Sequence, residues 1–133
     1  MKELIWDQSL SVQVKEIDED HRRLVELFNL LLHAVEEGDT TEYVEALLEE
    51  LLSCTNWHFK HEERLMLKYS YAHADAHKRE HRSLIESAKA LQQKFIAGGR
   101  MISAEEIEFL EQWLTGHIFG ADMEMGVYLG EVM

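Results

Sequence analysis

The chain has 133 residues, of which 46 % are hydrophobic, and this suits a single domain, residues 1–133, with a real apolar core. Its 26 Asp and Glu against 13 Lys and Arg give a formal charge of -13, which argues against nucleic acid or an anionic membrane as partner, because both need a basic surface. The single cysteine, Cys54, excludes an intrachain disulfide. No apolar run is long enough for a signal peptide or a membrane span, so we predict a cytoplasmic protein without membrane insertion.

The N-terminal part of the chain is predicted to be an extended arm followed by a helix. The first sixteen residues show no helical stripe, and Trp6 is available to attach them to the body of the protein. Asp18 is suited to the N-cap of the first helix, which is predicted to end at Gly38–Asp39. Along it, apolar residues recur three or four apart, as in an amphipathic helix: Leu24, Phe28, Leu31 and Val35.

Two further amphipathic helices are predicted in the middle of the chain. The second begins at Asp39 or Thr40 and runs to about Tyr69. The third runs from about His73 to Gly98–Gly99. The chain contains no proline, and this suits long helices without interruption.

The last predicted helix opens with a capping box, Ser103 followed three residues later by Glu106. After Gly120 we expect only a short tail that contains several glycines. Four helices with short connections predict an all-α fold, an antiparallel up-down-up-down four-helix bundle with an extended N-terminal arm.

Each apolar stripe continues into side chains that can bind a metal. In an antiparallel bundle these positions fall at one end, and residues four apart share a helix face. Asp122 lies five residues after His117, and we expect Gly116 and Gly120 to let the chain bend so that this carboxylate also turns inward. The other residues, in chain order, are His21, His58, Glu62, His77, His81 and His117.

Five histidines and two carboxylates at one level of a bundle predict a metal site. Buried without partners, each would cost several kcal/mol, of order 2–7 for a neutral polar group, and coordination removes that cost. Seven ligands exceed the four of a closed zinc site and suit two metals of octahedral preference with the carboxylates free to bridge them. Mixed imidazole and carboxylate donors favour iron or manganese over copper(I).

The residues around these positions match the motifs of a known family. The segments are Ile17-Asp18-Glu19-Asp20-His21, His58-Phe59-Lys60-His61-Glu62-Glu63, His77-Lys78-Arg79-Glu80-His81, and Trp113-Leu114-Thr115-Gly116-His117-Ile118 with Asp122. On these segments the chain resembles the hemerythrins, especially the single-domain bacterial ones. The resemblance covers nearly the whole chain, including the arm that carries Trp6.

The resemblance implies a non-haem di-iron centre. His77, His81 and His117 would hold one iron, and His21 and His58 the other. The two carboxylates, Glu62 and Asp122, would bridge the two ions (Fe2+/Fe3+) together with an oxo or hydroxo group.

The resemblance also implies a function. The iron with two histidines would keep an open position at which dioxygen binds reversibly, so the protein would be an oxygen carrier, store or local supply rather than an enzyme. The oxygen pocket would be lined by Leu24, Leu84, Trp113 and Ile118, although core packing alone would also explain these four residues.

Two other functions remain open at this stage. A di-iron redox enzyme of the ferritin-like kind, a ferroxidase or peroxidase, would need Glu-x-x-His on two helices, and no histidine here has Glu three residues before it. An oxygen or redox sensor would need an output surface. Cys54 is interpreted as a small buried hydrophobe, and His33, His61 and His73, which match no ligand position, as surface residues.

Overall fold

The computed structural model describes residues 3–133, and these residues form helices and no strand. The helices are α1 (Lys15–Glu36), α2 (Thr41–Lys68), α3 (Ala74–Gly98), α4 (Ala104–His117) and α5 (Met123–Val132). Consecutive helices of the first four pack against one another, and short connections make them antiparallel, so the predicted bundle is confirmed. Within the described range, no helix has both the length and the apolar character needed to cross a membrane.

Local signals set the ends of the helices at most of the predicted places. Thr40 caps α2 by accepting a hydrogen bond from the Tyr43 amide at 3.2 Å. Gly99 ends α3 in the left-handed region, with φ of 62°, where a residue without Cβ is favoured. Both hydrogen bonds of the capping box are present, since Ser103 Oγ accepts from the Glu106 amide and Glu106 Oε1 accepts from the Ser103 amide.

The prediction that Asp18 caps the first helix is wrong, because α1 begins three residues earlier, at Lys15. Asp18 lies inside the first turn, and its carboxylate instead binds the arm. It accepts hydrogen bonds from Ser11 Oγ at 2.6 Å and from the Val12 amide at 2.8 Å. The arm is also attached at Trp6, whose partly buried ring lies 4.2 Å from the Arg22 guanidinium carbon.

The chain beyond His117 is helical, so the short tail with glycines that was expected after Gly120 contains a helix that the sequence pattern did not predict. A π-helical turn, Ile118–Asp122, joins α4 to α5, and the backbone stays helical on both sides of it. Gly126 in α5 packs closely against the arm. The approach is so close that a Cβ at this position would collide with the Val12 carbonyl oxygen. The arm and α5 therefore depend on each other.

The interior of the bundle has an apolar end and a polar end. The apolar end lies where α1 and α3 finish and where α2 and α4 begin. The polar end lies at the opposite ends of the same helices and contains the predicted ligands. The fully buried side chains of the apolar end include Leu31, Leu32, Val44, Leu48, Ile107 and Leu110.

Candidate metal centre

The structure brings all seven predicted ligand residues together at the polar end of the bundle. Each of them is at most 5 % exposed. Their donor atoms form two clusters that share both carboxylates, and the atoms within each cluster lie within 4.8 Å of one another. The members are His77, His81, His117, Glu62 and Asp122 in the first cluster, and His21, His58, Glu62 and Asp122 in the second.

The first cluster contains three imidazoles. Glu62 Oε1 lies 3.1 Å from His77 Nε2 and 2.8 Å from His81 Nε2. Asp122 Oδ1 lies 3.1 Å from His77 Nε2 and 3.0 Å from His117 Nε2. All three rings therefore present the same nitrogen, Nε2, to one small volume.

The second cluster contains two imidazoles and uses the other oxygen of each carboxylate. Glu62 Oε2 lies 2.8 Å from His58 Nε2, and Asp122 Oδ2 lies 2.9 Å from His21 Nε2. Both carboxylates thus have one oxygen in each cluster. This arrangement suits two bridging carboxylates between two metal ions.

The π-helical turn explains how Asp122 reaches the site. Residues four apart lie above one another on an α-helix, and a π turn widens this spacing to five. His117 and Asp122 are five apart and span the turn, so their side chains share a face. The expected bend at Gly116 and Gly120 is not the reason, since a Cβ at either glycine would meet no atom within 4 Å and neither has a positive φ.

Many polar atoms of the site have no hydrogen-bond partner, although Glu62 Oε1 is paired with His77 Nε2 and His81 Nε2. His58 Nε2, Glu62 Oε2, both Asp122 oxygens and both nitrogens of His21 are buried without a hydrogen-bond partner among the described residues. Several of them approach within 3 Å of one another, yet without the geometry of a hydrogen bond. Orphaned buried groups of this kind are costly, and a cation in each cluster would satisfy all of them except His21 Nδ1, because His21 presents its other nitrogen, Nε2, to the cluster. The donor set therefore fits two metal ions.

The pKa values of the site residues also show that this volume favours positive charge. Burial alone would lower the pKa of His58, but the charge of Glu62 and a hydrogen bond with Asp20 outweigh it and raise that pKa to about 10. Against the same effect of burial, Asp122 and Glu62 raise the pKa of His77 to about 9 and that of His117 to about 12. Although burial raises it, the pKa of Glu62 lies well below its usual value because of the His58 charge and several histidine hydrogen bonds. Protons on the rings thus supply the charge that metal ions would supply.

A set of outer carboxylates, which sequence reasoning missed, holds the far side of three rings. Asp20 Oδ2 lies 2.7 Å from His58 Nδ1, and Glu63 Oε2 lies 2.9 Å from His81 Nδ1. Glu80 Oε1 lies 3.1 Å from His117 Nδ1, as an ion-pair contact without hydrogen-bond geometry. Such carboxylates orient metal-binding imidazoles and raise their basicity.

The outer carboxylates follow a rule that the sequence does contain. Each is the chain neighbour of a predicted ligand on its own helix, and each contacts a ligand on the next helix. Asp20 precedes His21 on α1 and contacts α2, Glu63 follows Glu62 on α2 and contacts α3, and Glu80 precedes His81 on α3 and contacts α4. A position one residue away from an inward ligand lies at the margin of the buried face, where it meets the neighbouring helix.

A small cavity borders the two-histidine cluster. Its volume is about 10 Å³, the lower limit for one water molecule. Leu24, Trp113 and Ile118 line it, together with Thr55, Phe59 and Leu114, which were not predicted, and with His21, His58, His117 and Asp122 from the metal site. The Thr55 hydroxyl donates to the Leu51 carbonyl at 2.7 Å, so the walls beyond the ligands are apolar.

Leu84, the fourth residue predicted for the pocket, has a different place. It is half-buried and is not among the residues that line this cavity. Its carbonyl accepts a hydrogen bond from the Trp113 indole at 2.8 Å. Leu84 therefore positions the ring of Trp113 from behind, through its backbone.

The remaining histidines and the cysteine lie outside the two clusters. His33 is exposed and pairs with Glu3 at 2.7 Å, and His73 is also exposed. His61 is not a simple surface residue, since it is 15 % exposed and its Nδ1 lies 2.6 Å from the same Asp20 oxygen that contacts His58. Cys54 is half-buried, and burial raises the pKa of its thiol, as suits a small apolar side chain.

Fold and site together define a class of protein, a four-helix bundle with two adjoining buried clusters of imidazoles and carboxylates that could hold metal ions. The model of the hemerythrin HHE cation-binding domain matches residues 12–129. The chain therefore belongs to the hemerythrin family.

Individual relatives agree with this membership. The chain is 34 % identical over 122 residues to a bacteriohemerythrin of Pseudomonas paraeruginosa, covering 92 % of this chain and 78 % of the relative. It is 33 % identical over 119 residues to a hemerythrin-like protein of Naegleria gruberi, covering 90 % of this chain and 87 % of the relative. A crystal structure of wild-type hemerythrin superimposes with a TM-score of 0.87 at 30 % identity, over 96 % of this chain and 98 % of that chain.

Proposed function

We propose that the chain binds dioxygen reversibly at a non-haem di-iron centre and serves as an oxygen carrier, store or local supply. His77, His81 and His117 would hold one iron, His21 and His58 would hold the other, and Glu62 and Asp122 would be shared by both, with an oxo or hydroxo group completing the centre. The observation that carries the proposal is the division of both buried carboxylates between the two clusters, one oxygen to each.

The donor set favours iron among the common metals. A closed structural zinc site uses four ligands, whereas this site offers seven residues around two centres. Imidazole and carboxylate oxygen together suit iron or manganese, and neither cluster found among the described residues contains a cysteine, whose thiolate would favour copper(I). The relatives that carry the names hemerythrin and bacteriohemerythrin support iron within this group.

The cavity explains where dioxygen would bind. His21 and His58 provide one imidazole fewer than the other cluster, and both line the cavity. Leu24, Trp113 and Ile118 exclude bulk water from that position. A di-iron centre in this place would supply the two electrons that reversible binding of dioxygen requires.

The protein side chains carry out binding and protection rather than covalent chemistry. Beyond the ligands, no acidic or basic side chain of the described residues 3–133 lines the cavity, so these residues offer no group on the cavity wall that would deliver a proton to a bound molecule. This favours reversible binding over a di-iron redox enzyme. The sequence lacks the Glu-x-x-His pairs of the ferritin-like enzymes as well.

The proposal is tested by metal content and by reversible colour. Protein produced with ample iron should contain two irons per chain by elemental analysis. After anaerobic reduction, dioxygen should produce a charge-transfer band that disappears under vacuum and returns with air. One tightly bound zinc without iron, or a colour that does not reverse, would contradict the proposal.

A further inference from the structure

A basic groove runs between α2 and α3 on the outside of the bundle, with a volume of about 520 Å³. Its walls carry four cations, Lys60 on α2 and Lys78, Arg82 and Lys89 on α3, against two carboxylates, Glu63 and Glu86. The chain as a whole has the opposite balance, with 26 acidic and 13 basic residues. The groove is thus a positive surface on a strongly negative protein.

Three of these cations have no carboxylate within 4.0 Å among residues 3–133. Lys78, Arg82 and Lys89 make no ion pair or side-chain hydrogen bond to any residue in the range 3–133, and Lys60 meets Glu63 only at 3.9 Å. Lys78 and Arg82 are also four apart on one helix, where like charges repel. A ligand with negative charge would relieve this repulsion.

The spacing of the cations indicates the size of that ligand. Lys78 and Lys89 are eleven residues apart on α3, which corresponds to about 16 Å along the helix axis. A single phosphate cannot reach across this distance, whereas about five residues of extended polypeptide can. Ile85 lies between the cations. Leu67, 82 % exposed, lines an adjoining pocket that shares Lys60, Glu63 and Lys78 with the groove. Apolar positions among cations suit a peptide that alternates acidic and apolar side chains.

The groove also touches the back of the metal site. His81 and Glu63 belong to its lining, and they contact each other at 2.9 Å. Phe59, on the same wall, stacks on the His81 ring at 3.8 Å with an interplanar angle of 6°. A ligand in the groove would therefore lie directly behind the three-histidine cluster.

We propose that this groove is a docking surface for an acidic, extended segment of a partner protein. Charge complementarity provides orientation and fast association, and the apolar positions provide contact area. The proposal does not depend on which metal the centre holds, because the cations that carry it lie on the outer surface of α2 and α3 and belong to neither metal cluster.

The test uses the purified protein and a fluorescent peptide of about ten residues, long enough to span the groove, with alternating Glu and Leu. The groove variant is Arg82→Glu with Lys89→Glu. The matched control is Arg79→Glu with Lys94→Glu, which changes the net charge equally on the same helix but outside the groove. At low salt we expect the groove variant to bind at least about tenfold more weakly than wild type, and the control to stay within about threefold. Amide NMR shifts caused by the peptide should follow α2 and α3.

Four results would overturn the proposal. Equal weakening in both variants would indicate only a net-charge effect, and equal binding of the peptide with Gln in place of Glu would remove the role of acidity. Phosphate that causes the same amide shifts would indicate a small-anion site. A wild-type dimer that the groove variant alone dissociates would assign the groove to a second copy of the chain. None of these measurements requires bound iron. Failure of the protein to bind iron would therefore contradict the proposed function without changing how the peptide results are interpreted.

Discussion

The two ends of the bundle are built from the same four helices but are held together differently. At the apolar end the inward positions carry side chains such as Leu48 and Leu110, which pack without polar atoms. At the other end the same stripes carry imidazoles and carboxylates, of which several atoms have no hydrogen-bond partner. One end is therefore stable by burial of apolar surface, and the other is complete only with cations.

This difference shows how a bundle can hold a reactive centre without losing its fold. We expect the packing of the apolar end and of the arm to keep the helices in register whether or not metal is present. The polar end is pre-formed, because outer carboxylates such as Asp20 and Glu63 already orient the rings. The following experiments, from the largest expected effect to the smallest, separate the contributions of the two ends.

The largest effect should come from pH on the metal-free protein. The folded pKa values of His58, His77 and His117 are about 10, 9 and 12, all above the ordinary 6.5. Their protonation therefore stabilises the fold fully below pH 6.5, and this stability is lost as the pH rises through 9 and above. Between pH 7 and pH 10 we expect a loss of about 3–5 kcal/mol in the free energy of unfolding, as for a buried ion pair that loses one partner.

The control for this pH effect is the metal-loaded protein, which has the same titratable groups on its surface. Its rings are neutral ligands at both pH values, so its melting temperature should fall less between pH 7 and pH 10. Thermal melts of both forms, followed by circular dichroism, make the comparison. A flat profile of the metal-free protein over this range would mean that the buried rings carry no protons at neutral pH.

Metal removal should have the next largest effect. In the proposed centre the ions would link all four helices at the polar end and would bind only the folded chain, so free metal at a thousand times the dissociation constant should stabilise the protein by about 4 kcal/mol. Calorimetric melts with and without a chelator measure this. If both forms melt at the same temperature, the metal is peripheral and the two clusters are not its site.

Truncation at the apolar end should lower stability without touching the metal. Leu48 is fully buried, and Leu48→Ala should cost about 2–5 kcal/mol in both the metal-free and the loaded protein. The control is Leu67→Ala, because Leu67 is 82 % exposed. Urea unfolding gives the stability and elemental analysis the metal content. A large loss of bound metal in Leu48→Ala would show that the two ends are not independent.

The smallest effect should follow removal of one outer carboxylate. Asp20→Asn keeps the shape of the side chain but weakens its hold on His58 Nδ1, and such changes typically cost about 10–100-fold in metal affinity. Glu19→Gln is the matched control, since Glu19 is exposed beside it on α1. Competition with a chromophoric chelator measures both affinities. An unchanged affinity in Asp20→Asn would show that the ring of His58 is oriented by packing alone.

Reading the sequence identified the bundle, the capping box and the inward positions of the ligands because each of these is a local property. A period of three to four residues and a Ser103–Glu106 pair act within one or two turns. The predicted beginning of α1 is wrong for the same reason. Asp18 is a residue type that favours the N-cap, but its carboxylate accepts hydrogen bonds from Ser11 and Val12 of the arm instead. Local propensity could not reveal that competition.

The sequence by itself determined which residue types face the interior at each end of the bundle, and with them the chemistry of the centre. Only the tertiary structure decided how those residues meet. The π-helical turn that turns Asp122 inward, the outer carboxylates that reach from one helix to the next, and the contact of Gly126 with Val12 all join segments from different elements or change the helical period. Helical periodicity places a residue on a face of its own helix, but contacts between helices depend on their packing, which no single stretch of sequence encodes.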